Sequence, residues 1–212
     1  MIRYYKLTDE INKDEIVKSD NGEDFSYSFG AEAWVKTDIM KTYRSPDEKN
    51  YGKYVELSKG EAYKTLRENH TRIEELRKLA VLTAHRAHMG QVDKGGNPYI
   101  SHPIAVAALL RDTEQQVIAY LHDVVEDTDM TFEELLGLGF TQRIVNSVKL
   151  LTKQEDVSYE DYILAIKKDN NACAVKIADI TDNMDLRRIP SPRREDFERI
   201  KKYKKALAVL QS

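Results

Sequence analysis

The sequence predicts a mainly α-helical fold with a small β-containing appendage at its N-terminus, on three observations. Residues 1–65 concentrate aromatic side chains and show the strand period of two. From Ser58 onward, apolar residues recur at three-four spacing behind helix-capping residues. After residue 70 a single β signal remains, the short run Pro98-Tyr99-Ile100. The chain is therefore expected to divide into a small β-rich module over 1–65, to which the sequence assigns no role, and a helical domain over 66–212.

In the first part, Glu15-Ile16-Val17-Lys18 and Phe25-Ser26-Tyr27-Ser28-Phe29 flank Asp20-Asn21-Gly22. Asn-Gly supplies the positive φ values that a tight hairpin needs, and the second run alternates aromatic with serine. Lys53-Tyr54-Val55-Glu56-Leu57 reads as a further strand. Ser58 and Glu61 have the spacing of a capping box, and Thr71 with Glu74 predicts a second helix start. Ile73, Leu76, Leu79, Ala80, Ala84 and Ala87 then trace one face of a helix that Gly90 should stop. Residues 91–101 read as a Gly/Pro loop, and further helices are expected to begin near Pro103, Glu114, Thr131, Thr141, Ser158, Asn171 and Pro192.

Bulk properties narrow the function. A net charge of −3 and a pI near 6.0 provide no global basic field for a nucleic-acid polymer or an anionic membrane. No apolar run approaches the roughly 18 residues of a membrane span, and Met1-Ile2-Arg3-Tyr4-Tyr5-Lys6 has no leader-like apolar core. The single cysteine, Cys173, sits in apolar sequence and reads as a small packed thiol; it cannot form an internal disulfide. These features fit a cytoplasmic protein.

The chemistry is concentrated in Leu121-His122-Asp123-Val124-Val125-Glu126-Asp127-Thr128. On a continuous helix, His122 lies over Glu126 and Asp123 over Asp127, one stripe beside a core-facing side of Val117, Ile118, Leu121, Val124 and Val125. Carboxylates next to a core need compensation, and a divalent cation would supply it. His102 precedes Pro103, which can occupy the first position of the next helix and fix the imidazole at a loop-helix junction. Asp179 and Asn183 share a helix face inside apolar flanks. His102, His122, Asp123 and Asp179 would give a mixed N/O ligand set suited to manganese, iron or magnesium, with zinc possible. Glu126 and Asp127 are then placed for acid-base work on water attacking a phosphoryl group. Lys94, Lys176, Arg187 and Arg188 are the candidate cations for a phosphorylated substrate. His88 reads as a packed, hydrogen-bonded residue, and His70 and His85 as surface groups. The basic run from Arg199 to Lys205 reads as the exposed face of a C-terminal helix whose apolar side carries Ile200, Tyr203, Leu207 and Leu210.

Ala87-His88-Met89-Gly90-Gln91, then Lys94-Gly95-Gly96-Asn97-Pro98-Tyr99-Ile100-Ser101-His102-Pro103, the His122–Thr128 block, and Lys176-Ile177-Ala178-Asp179 through Asn183-Met184 occur in an order and spacing that resemble the HD-type hydrolase domain of the RelA/SpoT alarmone enzymes. The resemblance covers roughly residues 70 to 210. It implies an HD-domain helical bundle that uses Mn²⁺ to remove pyrophosphate from the 3′ position of ppGpp or pppGpp, and with it a place in the stringent response. It further implies His102, His122, Asp123 and Asp179 as metal ligands, Glu126 and Asp127 as the catalytic acidic pair, Lys94 as a phosphate contact and Asn183 as a nucleotide contact near the ribose. With few residues after the hydrolase region, it implies degradation without synthesis.

Asp93 departs from the family pattern, which has an arginine there that stacks on guanine; a carboxylate cannot make that cation-π contact. Asp182 and Asp185 likewise stand where the family commonly has His and Arg. Two other functions follow from the same residues: an HD phosphatase for another nucleotide of the NADPH or dNTP type, and a non-catalytic nucleotide-sensing module. The expected partner in each case is a small-molecule nucleotide.

Overall fold

The computed structural model describes every residue except Ile189, Pro190 and Pro192, together with the side chain of Arg188. The helix start expected near Pro192 and the candidate cation Arg188 thus fall on undescribed positions. The chain forms two compact units, Met1–Glu75 and Leu76–Ser212.

In the first unit, β1 (Arg3–Leu7), β2 (Ile16–Asp20), β3 (Glu23–Ser28), β4 (Ala33–Thr37) and β5 (Tyr54–Leu57) make an antiparallel sheet of order β4-β3-β2-β1-β5. The expected hairpin is present: Asp20 pairs with Glu23, and Asn21 and Gly22 turn the chain at φ of 50° and 86°. The sheet is covered on both faces, which explains its consecutive apolar residues. Tyr4 and Ile16 pack with Ala62 and Leu66 of α2 (Lys59–Ala87), flanked by Tyr27, Phe29 and Trp34. Tyr5, Leu7 and Val17 point to the other side, onto Met40 and Tyr43 of α1 (Met40–Arg44).

The Ser58 capping box forms as expected, with Ser58 N–H donating to Glu61 at 2.9 Å and Glu61 N–H to Ser58 Oγ at 3.3 Å. The second helix start at Thr71 does not exist. One helix runs from Lys59 to Ala87, and the Thr71 hydroxyl bonds back to the Arg67 carbonyl at 3.2 Å. No Gly or Pro interrupts the chain between Glu61 and Thr71, so the hydroxyl has no free helix terminus to cap.

The second unit is helical: α3 (Ser101–Ala108), α4 (Thr113–Leu121), α5 (Val124–Asp127), α6 (Phe132–Gly137), α7 (Gln142–Leu151), α8 (Tyr159–Ile166), α9 (Asn170–Asn183) and α10 (Arg194–Leu210) follow the end of α2. Side-chain caps set most starts: Asp112 for α4, Thr131 for α6, Thr141 for α7, Ser158 for α8 and Asp169 for α9. Helix α9 packs against α3, α4 and α7. Its Val175 and Ile180 are fully buried, as are Val106, Ile118, Leu121, Ile144 and Val148. Among the described residues, no helix is long and apolar enough to cross a membrane.

A candidate metal centre and its cavity

The helix expected to run unbroken through His122 and Asp127 is broken between them. Helix α4 ends at Leu121, Asp123 sits at φ −103°, ψ −5°, and the short α5 restarts with Asp127 N–H donating to the Asp123 carbonyl at 2.9 Å. On a straight helix, adjacent residues point about 100° apart. The break removes that restriction and turns both neighbours to one point, with His122 Nε2 and Asp123 Oδ2 3.1 Å apart. It also releases the Ala119 carbonyl, one of the terminal acceptors a helix leaves unpaired. His122 Nδ1–H donates to that oxygen at 2.7 Å.

Two other helix ends complete the group. His102 lies in the first turn of α3, with Pro103 two positions deeper in the helix than expected. Its Nε2 is 3.3 Å from Asp179 Oδ1 and 3.7 Å from Asp123 Oδ2. Asp179, near the end of α9, is also 3.8 Å from His122 Nε2. His102, His122 and Asp179 are all buried and present their ligand atoms within 4.8 Å of one another. The four residues singled out from the sequence therefore converge.

The donor set fits a divalent cation. Among the described residues, His122 Nε2 is buried without a hydrogen-bond partner, although Asp123 Oδ2 lies 3.1 Å away. With Nδ1 donating to a carbonyl, the neutral tautomer leaves an Nε2 lone pair facing two carboxylates. The electrostatics agree. Burial pulls both imidazole pKa values down, but the aspartates more than offset it and raise them. Burial pushes the Asp179 carboxyl up, yet the Lys176 ammonium and both imidazoles hold it well below the usual carboxylate range. The pocket thus calls for positive charge where its nitrogens and oxygens meet.

Surrounding groups hold these side chains in place. Asp182 Oδ2 accepts from His102 Nδ1 at 2.7 Å. Lys176 Nζ lies 2.8 Å from Asp179 Oδ2, and Asn183 donates to Asp179 Oδ1 at 2.5 Å. The Tyr99 hydroxyl lies 2.5 Å from Asp123 Oδ2 and 3.1 Å from Asp127 Oδ2. Tyr99 stacks on His88, whose Nδ1 bonds the Gln91 amide, and Gln91 in turn donates to the Asp127 carbonyl at 2.9 Å. His88 is buried as expected, while His70 and His85 are exposed. Glu126 accepts from Lys153 N–H at 2.9 Å. Burial raises the carboxyl pKa of both Glu126 and Asp127, with the charge of Asp123 adding to it.

A cavity of about 340 Å³ opens onto the cluster, lined by His102, Asp123, Asp179, Tyr99, Lys176 and Asn183, and on its outer wall by Lys94, Arg199 and Tyr203 among others. Arg199 departs from the reading of the last helix: it was expected on the exposed face, whereas Tyr203 stands on the inward side as expected. Both face the cavity, and one turn of α10 separates them. Which stripe of a basic helix looks inward depends on the neighbours it packs against, which residue spacing does not encode. Lys94 and Arg199 share Asp196 Oδ1, at 3.8 and 3.1 Å. Arg187 instead pairs with Asp185 on the surface. Asp93 has a local reason: its Oδ1 accepts from Gly95 N–H and Asn97 N–H, each at 2.8 Å, and so organises the loop.

Comparison with known proteins agrees with this geometry. The chain is 35% identical over 120 residues to the bifunctional (p)ppGpp synthase/hydrolase SpoT of Escherichia coli K12, a match covering 50% of this chain and 17% of SpoT. It is 37% identical over 115 residues to a probable guanosine-3′,5′-bis(diphosphate) 3′-pyrophosphohydrolase of Synechocystis, covering 48% of this chain and 15% of that protein. The chain thus spans under a fifth of the length of these curated relatives. A solved structure, reported as a metazoan ortholog of SpoT that hydrolyzes ppGpp and plays a role in starvation responses, superposes with a TM-score of 0.56 at 25% identity, covering 65% of this chain and 86% of that one. Residues 80–205 match the HD domain family, and with the cluster and its helical frame lying inside that span, the chain belongs to it.

Proposed function

We propose that the helical unit is a Mn²⁺-dependent phosphohydrolase that removes pyrophosphate from the 3′ position of ppGpp and pppGpp, a role in alarmone turnover during the stringent response. The observation that carries this reading is the convergence of His102, His122, Asp123 and Asp179 at a cavity whose wall also presents Lys94 and Arg199. The alarmone hydrolases among the relatives support the choice of substrate.

His102 Nε2, His122 Nε2 and one carboxylate oxygen each from Asp123 and Asp179 would hold the ion. When bound, such an ion supplies Lewis-acid polarisation of a phosphoryl oxygen and lowers the pKa of attacking water. Asp127, solvent-exposed and with its carboxyl raised, takes the proton from that water, and the Tyr99 hydroxyl orients its Oδ2. Glu126, anchored to Lys153 N–H, orients the same water. Lys94 and Arg199 exchange their shared Asp196 carboxylate for phosphate oxygens of the substrate. Asn183, already on Asp179, contacts the ribose. Asp93 does not stack on the base, because its carboxylate is committed to the loop backbone.

The test is pyrophosphate release from ppGpp by the full chain, titrated with Mn²⁺. Release should rise with the ion, fall to background with chelator, and be abolished by His122→Ala and by Asp123→Ala. Turnover that survives complete removal of metal would refute the reading, as would nucleotide binding without turnover under saturating Mn²⁺.

A further inference from the structure

We propose that Asp182 is a positioning residue that fixes the tautomer and raises the donor strength of His102 at the cation site. The inference rests on the metal-site reading above and deepens it. His102 and His122 are oriented through the same ring nitrogen but by unlike partners: Nδ1 of His122 meets the neutral Ala119 carbonyl, and Nδ1 of His102 meets the Asp182 carboxylate, both at 2.7 Å. An anionic acceptor pulls the Nδ1 proton toward itself and leaves more electron density at Nε2, the atom that faces Asp123 and Asp179. It also fixes which nitrogen carries the proton, because only an N–H can answer a carboxylate at that distance.

The plainer explanation, an acidic residue solvating a helix face, does not fit. The Asp182 side chain is only 13% exposed. It lies in the last turn of α9, where the helix dipole disfavours negative charge. An acid at that end of a helix is unfavourable for the helix itself, and its bond to the His102 ring offsets that cost. Asp179 lies one turn earlier on α9, so that helix supplies both a ligand and the group that orients a ligand from α3.

The experiment is a titration of the full chain with Mn²⁺ followed by electron paramagnetic resonance, and with Co²⁺ followed by its visible absorption, no nucleotide being present. Asp182→Ala should weaken Mn²⁺ binding by about 10- to 100-fold and shift the Co²⁺ bands, with far-UV helical content unchanged. Asp182→Asn, which retains an acceptor without its charge, should fall between parent and Ala. Equal affinity and an identical Co²⁺ spectrum in parent and Ala variants would overturn the inference. If the Ala protein does not fold, the isosteric Asn variant decides: affinity equal to the parent overturns it, and several-fold weaker binding supports it. Failure of the parent itself to bind either ion would instead overturn the metal-site reading, which separates the two.

Discussion

Asp9 is a buried carboxylate in the β-rich unit, and its hydrogen bonds determine how that unit responds to acid. It accepts from Ile11 N–H and Asn12 N–H, each at 3.0 Å, and from the Tyr43 hydroxyl. Burial pushes its carboxyl up, but these bonds outweigh burial and hold the pKa below the ordinary value. A depressed folded pKa contributes stability that is fully present above the unfolded value, near ~3.9, and lost as pH falls through the folded value. Asp9→Ala should therefore cost about 1.5–3 kcal/mol at neutral pH, and the gap from parent should shrink as the pH drops below about 4. Trp34, the sole tryptophan, lies in this unit, so denaturation followed by its fluorescence reads the effect. A gap of equal size at pH 3 and pH 7 would contradict it. At this scale the sequence was most informative about the cluster: the convergence of His102, His122, Asp123 and Asp179 was legible because imidazole and carboxylate in apolar runs need a partner. Asp182 and Asp93 were visible only as departures, since their partners, a ring from α3 and the N–H groups of a loop, appear only once the chain is folded.

At the scale of elements, the hairpin was legible because Asn21-Gly22 admits few backbone alternatives. Gly22 holds φ +86° with nothing within 4 Å of an added Cβ, so the cost of a side chain there is conformational alone. Gly22→Ala should destabilise the sheet unit by roughly 1–2 kcal/mol, read again by Trp34 fluorescence; an unchanged midpoint would mean that the turn relaxes freely. Strands β1 and β4 and helix α1 were not anticipated. β1 is a central strand buried on both faces, with Tyr4 on one and Tyr5 on the other, so it lacks the alternation that marks a half-buried strand. The Thr71 signal failed because a capping pair needs a free helix start, and the chain offers none there. The break at His122-Asp123 left no mark either: neither Gly nor Pro stands there to signal it.

For the molecule as a whole, the partition into a β-rich part and a helical part was legible from the change of period near Ser58, whereas the compact units divide after Glu75, inside α2. A helix that continues past the change of period hides that division from residue spacing. The inward turn of Arg199 on α10 was hidden because it depends on what packs against that helix, whereas the stripe through Ile200, Tyr203, Leu207 and Leu210 was legible. The four candidate ligands stand at or near helix ends: His102 in the first turn of α3, His122 and Asp123 at the break after α4, and Asp179 one turn before the end of α9. Segment ends are where backbone amides open most readily to solvent. Loading the pocket with Mn²⁺ should accordingly slow deuterium uptake at residues 121–124 and 179–183 while leaving the middle of α7 unaltered, and uptake that stays fast at both stretches would contradict a shared ion. A cation held there would stitch together the ends of several rods, and the tightness of its grip would gauge how well those rods hold their ends closed.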